Sequence, residues 1–295
     1  MQFLRHLLLF IPAVLLSSTV VAAPPDGWSL YDDFSDRTIN AEFWDGKQSF
    51  NHYWIDPPVG EYQDWSSYEL LRMVVPNPIG GEKPRGLSAD GTLDLVNRTH
   101  GVMSGDGVGA TRTRLGLALQ DRSEVVGVGG RIGFNDVDVV SCYGRDSARL
   151  RIITGFYNIN SSSVPGDLTG EVMAWIGLRK RASFTAEGMR VDAVVFECGD
   201  PDCQTVEWSD GVVFPFASAK EYVDVTMEWD ESSASFIFTY NGAEVSISSV
   251  HNERYAPQSS MWVQAAVDLS VCPSEPAQGY IDGKVDEIYI KYSGG

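Results

Sequence analysis

From Thr92 onward the chain alternates apolar and polar residues at period two, and turn-forming residues separate nearly every alternating run. That pattern belongs to half-buried strands and is incompatible with helices, whose apolar residues recur every three to four positions. Strands are expected at Thr92–Asn97, Thr111–Leu119, Val125–Phe134, Arg149–Tyr157, Glu171–Arg181 and Arg190–Glu197. They continue at Thr205–Phe214, Tyr222–Trp229, Ser235–Tyr240, Ala243–Ser248, Met261–Leu269 and Lys284–Tyr292, after a short opening strand within Trp28–Phe34. Strands at this spacing predict an all-β chain, a two-sheet antiparallel β-sandwich. Between Asp45 and Gly91 the chain is irregular, with a strand-like run only at Tyr68–Val75, and its Trp54, Tyr62 and Trp65 are candidates for the wall of a cleft.

Residues 1–22 read as a signal peptide: Arg5 and His6 precede an apolar run that ends at small residues. Residues 23–295 are then expected to form one sandwich domain, exported as a secreted or periplasmic protein with no membrane span. The 4 cysteines, Cys142, Cys198, Cys203 and Cys272, form an even set suited to two disulfides in such a compartment. A Gly/Pro turn separates Cys198 from Cys203, which favours a local bridge there and leaves Cys142 with Cys272. Scattered His52, His100 and His251 give no zinc spacing. A net charge of −18 opposes nucleic-acid and anionic-membrane partners. Asn97 and Asn160 stand in glycosylation triplets.

Several stretches, in order, resemble the concanavalin A-like lectin/glucanase superfamily, in particular secreted β-glucanases of the lichenase and laminarinase kind. They are Tyr31–Asp36 with Trp44, the Asp90-Gly91-Thr92-Leu93-Asp94-Leu95 run, and the Tyr222–Asp230 strand leading to Asn241-Gly242. The closing Val285–Tyr292 strand completes the set. The resemblance implies a jelly-roll sandwich. No cofactor is required; as a side expectation the resemblance implies a structural calcium ion, held by the backbone carbonyl at Asp33 and by Asp286.

In those glucanases one strand carries Glu-x-Asp-x-Glu, and retaining hydrolysis needs two carboxyl groups about 5–5.5 Å apart. The matching strand here reads Glu171-x-Met173-x-Trp175, so two of the three carboxylates are absent. Only Glu171, with Tyr157 as a second candidate base, keeps a catalytic reading alive: a lyase, or a hydrolase with a displaced acid. Alternation instead gathers Arg114, Arg149, Arg151, Tyr157, Glu171, Trp175, Arg179 and Arg190 on one face. Indole plates pack on sugar C–H surfaces, and guanidinium forks match carboxylate or sulfate groups. The leading expectation is therefore a protein that binds a polysaccharide or oligosaccharide on its concave, Trp/Arg-bearing face, with acidic polysaccharides as one candidate class. A polysaccharide-degrading enzyme and a non-catalytic structural or envelope protein are the alternatives.

Overall fold

Alternation places one side of each long strand in a shared apolar layer, and the computed structural model shows how two sheets divide that layer. It describes residues 24–35, 43–45, 85–87, 91–100, 109–117 and, apart from short gaps, 119–294. The expected signal peptide and the Trp54, Tyr62 and Trp65 insertion, with the run at Tyr68–Val75, lie outside the described residues.

The strands in chain order begin with β1 (Ser29–Asp32), β2 (Trp44–Asp45), β3 (Arg85–Leu87), β4 (Leu93–His100) and β5 (Gly109–Leu117). Next come β6 (Val125–Val140), β7 (Ser147–Asn158), β8 (Glu171–Arg181), β9 (Gly188–Cys198) and β10 (Val206–Ser218). The last are β11 (Val223–Asp230), β12 (Ser235–Tyr240), β13 (Ala243–Ser248), β14 (Met261–Leu269) and β15 (Gln278–Tyr292). The first sheet runs β13-β12-β11-β6-β15-β4-β3, with β1 also on β15, and the second runs β10-β9-β8-β7-β14-β5-β2. All pairings are antiparallel, and the described residues contain no helix.

Inward residues of both sheets interdigitate in one core, including Ile132, Phe134, Met227, Phe236, Phe238 and Ile288 from the first sheet. Leu150, Ile152, Val172, Ile176, Ala193 and Val263 meet them from the second. Each such Val, Leu, Ile, Phe or Met side chain, fully buried, favours folding by about 1.5–3 kcal/mol.

β6 and β15 run further than alternation predicts, because they pair with each other as far as Gln278 opposite Val140. The polar Asn135-Asp136 step and a register shift at Asp282/Gly283 hide that continuation in the sequence. Both expected disulfides are present, Cys142 to Cys272 and Cys198 to Cys203. Asn97 is fully buried and donates from Nδ2 to the Ala265 carbonyl at 3.3 Å, so its triplet is no glycosylation site in the folded chain.

Candidate functional site: the outer face of the second sheet

Strand register lays out this face as rows running across the strands. Val194, Trp175, Ile153 and Trp262 form one row, contributed by β9, β8, β7 and β14. Asp192, Gly177, Arg151 and Gln264 form the next, and Arg190, Arg179, Arg149 and Ala266 the one beyond. The face is thus apolar at one end and cationic at the other.

At the apolar end Ile153, Met173 and Trp175 form a buried cluster with Cys198, and Val194, Phe196, Leu168 and Trp262 pack around it. Met173 and Trp175, which occupy the places of the two absent carboxylates, are 1% and 6% exposed. They are an apolar floor. Trp175 does not present a free plate to solvent, because the Arg151 and Arg149 guanidiniums lie 5.2 and 5.9 Å from its ring centroid. That is cation–π range, and the indole holds the two forks in place.

Arg151 is set further by Gln264, whose Oε1 accepts from Nε at 2.8 Å and from Nη2 at 2.5 Å. Arg149 donates to Asp268 at 2.6 Å and to Ser147 Oγ at 3.2 Å. Arg179 is in close ion contact with Asp192, and Arg190 stands directly opposite Arg179 in the register. Burial pushes the Asp192 carboxyl above its ordinary value even though Arg179 and Arg181 pull it down. Burial likewise lowers the Arg179 guanidinium, so both shifts describe a pair held away from water at a cost. Arg114 lies opposite Gln264 in the register, which puts it in the Arg151 row; its side chain is outside the described residues.

The two candidate catalytic groups are placed elsewhere or otherwise engaged. Glu171 does share the face, but its carboxylate is fully buried beneath the segment at Gln258-Ser259. It accepts from the Gln258 and Ser259 amides at 3.0 and 3.2 Å, from Ser259 Oγ at 2.8 Å and from Asn158 Nδ2 at 3.2 Å. Gly155 makes room for this, since a Cβ there would fall 2.1 Å from Glu171 Oε1 and 1.8 Å from Ser259 Oγ. A carboxylate so saturated ties a loop to the sheet.

Tyr157 corrects the expectation from strict alternation. The register shifts between Gly155 and Tyr157, so Phe156 and Tyr157 both enter the core and Tyr157 leaves the arginine face. A bulge inserts one unpaired residue and reverses the parity that follows it. The Tyr157 ring packs on Trp229 and Phe236, its hydroxyl meets Ser249 Oγ at 2.8 Å, and burial raises its pKa.

The side chains at the two expected calcium positions have these partners. Asp33 accepts from the Ser35 amide at 3.0 Å, and Asp286 lies 3.5 Å from the Arg131 guanidinium. A dication at Asp286 would have to compete with that positive charge. Among the described residues no group of three or more His, Cys, Asp or Glu could hold a metal ion.

Gln264, Asp268, Trp262 and Asp192 were not nominated from sequence, although period-two reading of Met261–Leu269 and Arg190–Glu197 puts each on this face. Their pairing with particular arginines follows only from sheet order, which brings β14 beside β7 and β9 beside β8.

No protein-family model and no curated protein matches the chain. Among solved structures, an alginate lyase of polysaccharide lyase family 7 is similar at 11% identity, over 71% of this chain and 83% of its own, with a TM-score of 0.44. A Bacillus licheniformis β-glucanase is similar at 10% identity, over 70% and 81%, with a TM-score of 0.39. A GlcNAcα1-4Gal-releasing endo-β-galactosidase from Clostridium perfringens follows at 13%, over 92% and 64%, with a TM-score of 0.44. Values this low pass no activity or substrate to the chain. By its own topology, the protein is a two-sheet antiparallel β-sandwich.

Proposed function

We propose that this is an exported protein that binds an acidic polysaccharide or oligosaccharide on the outer face of the second sheet. The observation that carries the reading is the set Arg149, Arg151, Arg179, Arg181 and Arg190 gathered beside a Trp175 floor. On a chain of net charge −18, those guanidiniums outnumber the described acids among them, Asp192 and Asp268. Like charges directly opposite each other across a sheet disfavour folding. Such a row is understandable where it meets an anionic partner.

Arg149 and Arg151 supply forks whose orientation is already fixed by Trp175, Gln264 and Asp268, which lowers the ordering cost of binding. Trp262, partly exposed at the other end of the face, offers the aromatic surface for a sugar ring that Trp175 does not. Two disulfides suit an oxidising compartment outside the cytosol. No helix among the described residues is long and apolar enough to cross a membrane.

Affinity electrophoresis through gels containing neutral or acidic polysaccharides tests the reading. Retention by an acidic polymer is expected, weakened by salt and at least tenfold by Arg149→Ala with Arg151→Ala, each charge-assisted contact being worth about 1.5–3 kcal/mol. Retention by none of the polymers would overturn it.

A further inference from the structure

The cationic end of the face contains one acid that stands out from its surroundings. Asp192 is 2% exposed and lies between β8 and β10 in the second sheet. β8 turns Arg179 and Arg181 toward it, β7 adds Arg149, and its own strand carries Arg190 two positions away. From β10 the residue opposite is the uncharged Val213. Asp192 touches Arg179 closely, yet neither of its oxygens receives a well-aligned hydrogen bond. The buried Nε–H groups of Arg179 and Arg181 also lack an acceptor in the described structure.

Buried guanidinium donors without an acceptor beside a buried, ion-paired carboxylate are rare, because each such donor forfeits its hydration without replacement. An anion that draws the Arg179 and Arg181 side chains outward would give these groups the acceptors they lack.

We propose that Asp192 is a built-in competitor for the arginine cluster, an internal counterion that the anionic group of the ligand must replace at Arg179 and Arg181. This rests on the arginine face being the binding surface. Its consequence is selection by charge. A polymer with dense anionic groups overcomes the internal carboxylate, whereas a neutral or sparsely charged glycan does not. Protonating Asp192 removes the competitor, and burial raises the pH at which that protonation occurs. Binding is then accompanied by proton uptake and strengthens as pH falls through the Asp192 titration.

Dextran sulfate is the probe, because its sulfate esters stay ionised from about pH 4 to 8, so changes in affinity over that range belong to the protein. The wild-type chain and Asp192→Asn are compared by titration calorimetry at low salt. Asn keeps the shape of the side chain and removes its charge. The expected result near neutral pH is binding by Asp192→Asn that is tighter on the order of tenfold, as when one charge-assisted contact need no longer be displaced. As pH falls through the Asp192 titration the two proteins converge, over and above the tightening that both share as the whole chain loses negative charge. Calorimetry of the wild-type protein alone in two buffers of different ionisation enthalpy reports the proton uptake, so the result does not depend on the variant folding well. Equal or weaker binding by a folded Asp192→Asn at neutral pH, or wild-type heats independent of buffer, would overturn the competitor role while leaving the face as the binding surface. Absence of binding by both proteins at every pH would overturn the face itself.

Discussion

Replacing Glu171 with Gln separates a structural from a catalytic role at the residue that most resembles an enzyme's. The carboxylate is fully buried, and its Oε1 accepts from Ser259 N and Ser259 Oγ, while Oε2 accepts from Asn158 Nδ2 and takes the shorter of two contacts from Gln258 N. Gln preserves volume and one acceptor oxygen. It turns the other into an NH2 group facing Asn158 Nδ2 and the Gln258 amide, both of which are donors. Hydrogen bonds to a charged group contribute about 1.5–3 kcal/mol, and a stranded buried donor costs about 1–3 kcal/mol. Partial relaxation of the Gln258-Ser259 loop leaves an expected loss of about 2–4 kcal/mol, which at this chain length lowers Tm by roughly 4–15 °C. Thermal unfolding followed by circular dichroism reads the global effect. Amide exchange at Gln258 and Ser259 reads the local one and should accelerate well before the rest of the sandwich opens. An unchanged Tm with unchanged protection of these amides would refute the anchoring role. Loss of a glycan-cleaving activity at full stability would return Glu171 to chemistry.

Replacing Cys142 and Cys272 with Ser opens a bridge of sequence separation 130, and a loss of about 2–5 kcal/mol is expected in denaturant titration of the variant against the oxidised wild type. Tyr157→Phe removes the bond to Ser249 from a core position and should cost about 1 kcal/mol in the same titration, with polysaccharide retention unchanged. Because Arg131 already stands beside Asp286, chelator treatment is expected to leave Tm unaltered; a fall restored by added calcium would establish an ion at Asp33 and Asp286. Hydrogen bonds from Ser233 and Ser232 hold Asp230 at about 2, below its ordinary 3.8. The stability it contributes is therefore present above 3.8 and disappears as pH falls through about 2, and the carboxyl carbon chemical shift followed by NMR should titrate in that lower range.

Period two was enough to read most of the architecture, since inward and outward residues of a strand differ in polarity wherever one side is buried. It gave the two faces of Glu171–Arg181 correctly, with Val172, Ala174, Ile176 and Leu178 in the inter-sheet core. It also located Arg149, Arg151, Trp175, Arg179 and Glu171 on the other side. The missing carboxylates at Met173 and Trp175 were visible directly, because a residue's identity needs no fold to be known.

Parity, neighbours and access were decided by the tertiary structure. One extra residue at Phe156 carried Tyr157 from the arginine face into the core; a glycine within a strand is a signal for a bulge, but Gly155 alone does not say where the parity turns. Sheet order put β14 beside β7, and so gave Arg151 its Gln264 and Arg149 its Asp268 across more than a hundred residues of chain. Burial turned Trp175 from an apparent sugar platform into the support beneath two guanidiniums, and turned Glu171 from a lone acid into the anchor of a loop. Alternation along a strand is a local steric property carried by the chain itself. Which charge faces which, and how much water either keeps, depends on contacts between strands far apart in sequence.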